Sequence, residues 1–178
     1  MRTLTIERSL LLVIDIQSRL MPAIHDGDRV VKNARRLVDA ASLLGVPRLT
    51  TEQNPKGLGG TVAALAPGDG EAVFTKATFD AWPCAGLREA APAGREIVVA
   101  GCEAHVCVLQ TVLGLLGRGR RVVVVADAVG SRRPESREQA LRRLDRHGAE
   151  IVTAEMAIFE WLGTAEHPRF REALALVR

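Results

Sequence analysis

Two stretches of this chain, IVVA at 97–100 and VVVVA at 122–126, are apolar at every position. A strand with one wet face alternates apolar and polar residues, so runs of this kind need cover on both faces. Helices flanking a parallel sheet meet that need, and the rest of the chain supplies them. Strand-like runs at 9–15, 46–51, 72–76, 96–101, 121–126 and 151–152 alternate with segments of helical period at 28–44, 86–91, 106–117, 134–147, 154–162 and 168–176. In the first of these segments Val30, Val31, Ala34, Leu37, Val38 and Ala41 recur at helical spacing, and Gly45 stands as its stop signal. Between the second and third strands, EQNPKGLGG reads as an irregular turn and TVAALA as a helical turn or two. The pattern predicts an α/β fold: a three-layer, doubly wound, Rossmann-like sheet of six mainly parallel strands with helices on both faces, built as a single domain over 1–178.

Charge and cysteine usage narrow the function classes. The net charge of +3 is spread over mixed signs, and a chain with no tyrosine and 3% aromatic residues has little with which to stack bases. The arginines of RGRR (118–121), SRRPESR (131–137) and LRRLDRH (141–147) are read as a solvated helix face, so no nucleic-acid partner is expected. Asp15 interrupts the apolar run near the N-terminus, which therefore does not read as a signal peptide or membrane span. Three widely spaced cysteines, Cys84, Cys102 and Cys107, fit a reducing cytoplasm better than a disulfide framework. The four histidines, His25, His105, His147 and His167, are scattered, and Cys102 and Cys107 lack a second ligand pair, so no metal is expected.

In a doubly wound sheet, ligands bind beyond the carboxyl ends of the strands where strand order reverses. Asp15 ends the first strand, Lys76 ends the third, and Cys107 lies just past the fourth at the opening of an apolar helix. Unpaired N–H groups and the positive end of the helix dipole favour a thiolate at such a position. A base, a cation and a thiol thus meet on one edge. Gln53, beyond the second strand, is either a substrate contact or an anchor of its own loop; Phe79 and Trp82, after Lys76, are either an apolar wall of the site or satellite core. His105 is not taken as the base for Cys107, Asp127 is read as a brace for the following turn, and Cys102 as a buried small residue.

LLVIDIQSRL, TKATFDAW and VVAGCEAHVCVLQTVLGLL resemble, in order and spacing, the Asp, Lys and Cys motifs of the isochorismatase-like cysteine hydrolases. The likeness continues through TEQNPKGLGGTVAAL, VVVVADAVGSR, RRLDRHGAEIVTAE and HPRFREALAL, and it points to the branch of isochorismatase domain-containing proteins. It implies the isochorismatase-like hydrolase fold and a catalytic triad of Asp15, Lys76 and Cys107, in which Asp15 takes the thiol proton and Lys76 lowers the thiol pKa. The resemblance also implies a cis peptide between Cys102 and Glu103, with the backbone N–H groups of Glu103 and Cys107 as an oxyanion hole. Nicotinamidases of the superfamily carry a metal-binding set after the second strand, where this chain has TTEQNPKGLGG, so no metal or other cofactor is implied. Isochorismate hydrolases proper do not need the cysteine. Its presence here points to a cysteine-dependent amidohydrolase acting on a C–N bond, other than a peptide bond, of a small-molecule substrate. A homo-oligomer, dimer or higher, is expected from the relatives. A redox-sensitive or scaffold protein that kept the fold without turnover remains the alternative, with a Cys102–Cys107 link as its signature.

Overall fold

The computed structural model describes residues 3–68 and 70–178. Six parallel strands form one sheet: β1 (Ser9–Ile14), β2 (Arg48–Gln53), β3 (Val73–Lys76), β4 (Glu96–Cys102), β5 (Val122–Gly130) and β6 (Glu150–Val152), in the order β3-β2-β1-β4-β5-β6. The order reverses between β1 and β4, which places the expected ligand crevice at their carboxyl ends. The helices are α1 (Gly27–Leu44), the single turn α2 (Pro55–Leu58), α3 (Ala85–Ala90), α4 (Leu109–Leu116), α5 (Pro134–Arg146), α6 (Ala154–Leu162) and α7 (Phe170–Val177).

Strand periodicity divides the core in two. Leu11, Val13, Val98, Ala100, Val123 and Val125 point to the face covered by α1, α6 and α7. Leu10, Leu12, Ile14, Ile97, Val99, Val122 and Val124 point to the face covered by α3, α4 and α5. Every residue of β1 and β4 is buried, as their uninterrupted apolar runs require. Trp161 and Leu162 of α6 are buried in the first layer, and the Trp161 indole N–H donates to Ser9 Oγ at 2.9 Å. These C-terminal side chains therefore cover the sheet. Among the described residues no helix is long and apolar enough to cross a membrane.

Two strand ends differ from the pattern read in the sequence. β2 runs on to Gln53 because Glu52 and Gln53 pair with Thr75 and Lys76 of β3. β5 continues past Ala126 to Gly130 because pairing with β4 resumes at Gly101↔Val129 after a register shift. Asp127, which interrupts the apolar run, uses its carboxylate to accept the Ala154 N–H at the start of α6 (2.8 Å). The arginines of RGRR do not form a helix face. Arg120 lies over the Trp82 ring, and Arg121 pairs with the buried Glu96 and with Glu150 at 2.7 Å each, at the end of the sheet opposite the crevice.

Gly101 sits beside β1 with φ +146°, and a Cβ there would collide with the carbonyl oxygen of Ile14. Ile14 precedes Asp15 and Gly101 precedes Cys102, so this close approach sets the spacing of both site-bearing strand ends. Gly101→Ala is expected to drive β1 and β4 apart and to lower the unfolding midpoint by several degrees. Thermal unfolding followed by circular dichroism checks it; an unchanged midpoint would show that the strands accommodate the methyl group.

Candidate active site

Asp15 follows β1 in a left-handed backbone conformation, φ 50°, and is fully buried. Its two carboxylate oxygens have separate partners: the Thr51 hydroxyl donates to Oδ1 at 2.7 Å, and Lys76 Nζ donates to Oδ2 at 2.7 Å. Lys76 ends β3 with its side chain 1% exposed. Its ammonium also donates to Gln53 Oε1 at 2.8 Å and, at longer range, to the carbonyls of Thr78 and Phe79 (3.3 and 3.4 Å). A buried cation so fully surrounded by acceptors stays in one place. Gln17, also fully buried, ties the neighbouring loop: its carboxamide accepts the Gln53 N–H (2.8 Å) and donates to the carbonyls of Gln53 and Gly59 (3.1 and 2.6 Å).

Cys107 comes from the far side of the strand reversal. β4 ends at Cys102, the Cys102–Glu103 peptide is cis, and the chain then turns through a π-helical segment, Ala104–Val108, into α4. Cys107 thus lies inside the opening turn, in the widened geometry that recurs at functional sites. The charges of Asp15 and Lys76 both act on its thiol. Asp15, Gln53, Phe79, Glu103, Val106, Cys107 and Arg132 share a cavity of about 340 Å³ with Leu20, Ala23 and Leu58. Asp15 and Cys107, from strand ends far apart in sequence, therefore face one concavity, and buried Lys76 reaches it through its ion pair with Asp15.

The thiol does not have the lowered pKa expected from its position. Burial, followed by the adjacent Asp15 carboxylate, pushes it up to about 12, with Lys76 acting in the opposite direction. Cys107 is held as a neutral thiol with a base at hand. Its alkylation by iodoacetamide is expected to go on rising about tenfold per pH unit beyond pH 9, the ordinary value for a thiol. Peptide mass mapping would follow it, with half-buried Cys84 as internal reference. A plateau near neutral pH would contradict the neutral-thiol state.

Other side chains fall into different roles. Phe79 is 50% exposed at the cavity mouth. Trp82 does not line the cavity but is packed in the core with α3 and α4. The cause is local: the Trp82 N–H donates to Asp80 Oδ1 (2.9 Å) and the Ala81 N–H to Thr111 Oγ1 (3.0 Å), which turns the segment toward α4. Gln53 lines the cavity, yet its carboxamide is engaged at both ends, by Lys76 and by the Ala77 carbonyl (2.7 Å). His105 Nδ1 meets Ser131 Oγ at 3.0 Å. Cys102 is fully buried in the α1 layer, its sulfur 3.7 Å from that of Met21, whereas Cys107 belongs to the α4 layer. Among the described residues no three His, Cys, Asp or Glu side chains are grouped to hold a metal ion.

Sequence reasoning missed Thr51, Gln17 and Arg132. The signals are slight: the second of two adjacent threonines within β2, an amide two residues past the aspartate, and an arginine that looks solvated. Arg132 is half out in solvent but bonds through its backbone N–H and Nε to the Glu103 carboxylate, at 2.9 and 3.1 Å.

The isochorismatase domain family matches residues 9–156, which spans every element of this site. The chain belongs to the isochorismatase domain family. Isochorismatase domain-containing protein 1 of Danio rerio is 39% identical over 167 residues, 92% of this chain; the chain spans 59% of that protein's length. Among solved structures, the MAR1 ribonuclease of Caenorhabditis elegans superposes with TM-score 0.93 at 36% identity, covering 98% of this chain and 92% of that one. YcaC from Pseudomonas aeruginosa, with hexane-2,5-diol and covalent acrylamide, gives 0.89 at 25% identity over 98% and 91%. The fold is that of the isochorismatase-like hydrolases, with all six strands parallel.

Proposed function

We propose that this isochorismatase-family chain is a cofactor-free cysteine hydrolase that cleaves the C–N bond of a small amide through a thioester on Cys107. The observation that carries the reading is the cavity shared by Asp15 and Cys107, with the Asp15 carboxylate paired to the buried Lys76 ammonium behind it. As Cys107 Sγ attacks the carbonyl carbon, its proton passes to Asp15 and the carbon–oxygen π pair moves onto oxygen. The backbone N–H groups of Glu103 and Cys107, both cavity residues, receive that oxyanion. Collapse breaks the C–N bond, and Asp15 returns the proton to the departing amine. Water then gives a proton to Asp15 as it attacks the thioester; the acid leaves and the thiol is restored.

Each framework residue has a place in this sequence. Lys76 offsets the Asp15 charge and is itself oriented by Gln53, while Thr51 fixes the second carboxylate oxygen. A neutral resting thiol suits the scheme, because the proton that Asp15 later donates is the one it takes from sulfur. Phe79, Leu20, Leu58 and Val106 make the apolar lining that lowers the local dielectric. The covalent acrylamide in the Pseudomonas aeruginosa YcaC structure fits a reactive nucleophile in this fold.

A second reading, RNA cleavage, rests on the description of the Caenorhabditis elegans relative as a ribonuclease. Amine release from a panel of small carboxamides, run beside cleavage of a structured RNA by the same preparation, separates the two. Amine release without RNA cleavage is the expected result. RNA cleavage without amine release would replace the amidohydrolase reading.

A further inference from the structure

A second cavity, about 550 Å³, opens beside the one that holds Cys107 and is lined by His105, Arg132, Arg133 and Ser136. The two cavities share Arg132. Their chemistry differs. Around Cys107 the lining is largely apolar, and its two carboxylates are engaged: Asp15 by Lys76 and Thr51, Glu103 by Arg132. In the second cavity every lining side chain is a polar or cationic donor. Glu103 meets Arg132 at Nε and the backbone N–H, which leaves both terminal guanidinium nitrogens without a partner among the described residues. Among the described residues Arg133, at the start of α5, forms no ion pair, and the His105 ring is held by Ser131 through Nδ1 with no partner at Nε2. The one acidic residue in the first turn of α5, Glu135, is exposed and outside the lining.

Resting on the hydrolase reading above, we infer that the His105–Arg132–Arg133–Ser136 cavity is a subsite for an anionic oxygen group, carboxylate or phosphate, carried by the substrate. The amide carbonyl sits against Cys107 and the chain bearing it passes Arg132, where the guanidinium turns its free edge to the anion. Two arginine forks suit an oxyanion because each can offer paired N–H donors to two of its oxygens. The substrate class is therefore an acidic amide, a carboxylate-bearing or phosphate-bearing small amide, in preference to a neutral one. Glu103 then has a side-chain role: it holds Arg132 at the junction of the two cavities as a positioning residue.

The test is calorimetric titration of succinamate and of inorganic phosphate, with neutral butyramide as control, into the full chain carrying Cys107→Ala so that no turnover intervenes. Arg133→Gln is added singly and with Arg132→Gln; Arg133 is exposed and its side chain has no partner among the described residues, so its replacement keeps the fold. Saturable binding of at least one anion is expected, about tenfold weaker in Arg133→Gln, lost in the double variant and weakened by salt. Tighter binding of succinamate than of phosphate identifies a carboxylate-bearing substrate, and the reverse order a phosphate-bearing one. If neither anion saturates the protein, or if the double variant binds as well as its parent, the subsite does not exist. A wild-type protein that shows these anion affinities but never carries an acyl group on Cys107 would overturn the thioester reaction while leaving the subsite in place.

Discussion

Lys76→Met is expected to destabilise the fold by about 3–5 kcal/mol, because it leaves the Asp15 carboxylate buried and without its cation. Both side chains of this pair are 1% exposed, so neither can recover hydration by turning outward. For a chain of this size that loss corresponds to a fall in melting temperature of roughly 6–20 °C. Asp15→Asn should be costly for the same reason, since Lys76 would then be the uncompensated charge. The double variant Asp15→Asn/Lys76→Met removes both charges and is expected to regain much of the difference. Chemical denaturation of the four proteins gives the coupling energy. Single losses below about 1 kcal/mol would mean that the pair behaves as an exposed one, against its burial here.

Cys107→Ala is expected to behave in the opposite way, with the fold kept and the chemistry lost. Cys107 packs against the α4 layer as a small side chain, and trading its sulfur for hydrogen is a modest core change of about 1 kcal/mol. Hydrolysis of an accepted amide should fall by about 10⁴-fold or more, because no other nucleophile in the cavity carries a proton that Asp15 can take. Steady-state amine release, set beside an unchanged circular dichroism spectrum, measures both halves. Turnover within about tenfold of wild type would remove the thioester from the mechanism. The redox alternative makes a different prediction, a Cys102–Cys107 link under oxidation, from two sulfurs that pack in different layers, Cys102 against Met21 in the α1 layer and Cys107 in the α4 layer.

The sheet was legible because its signals are strong and local. IVVA and VVVVA could only be strands covered on both sides, and the helical periods between them forced parallel crossovers. Strand ends brought the three candidate residues into view, since Asp15, Lys76 and Cys107 each fall at or just past the carboxyl end of a strand. Roles set by tertiary partners were harder to read. Trp82 looked like a candidate site wall until Asp80 and Thr111 were seen to turn it into the core. Arg132 and Arg121 looked solvated because the glutamates they meet, Glu103 and Glu96, are about 25–30 residues away in sequence. The thiol is the sharpest case. A helix start and a nearby lysine argue for a thiolate, but sequence says nothing of burial, and burial beside Asp15 outweighs the lysine.

In the proposed reaction Cys107 carries a covalent acyl intermediate. Intact mass of the wild-type chain, quenched within seconds of mixing with a library of small amides, tests it most directly. The expected result is a mass increase equal to the acyl group, mapped to Cys107, absent from Cys107→Ala and enriched for amides that carry a carboxylate or phosphate. Amine release by the wild-type protein with an equal rate in Cys107→Ala, and no acyl group on Cys107 at any quench time, would contradict it.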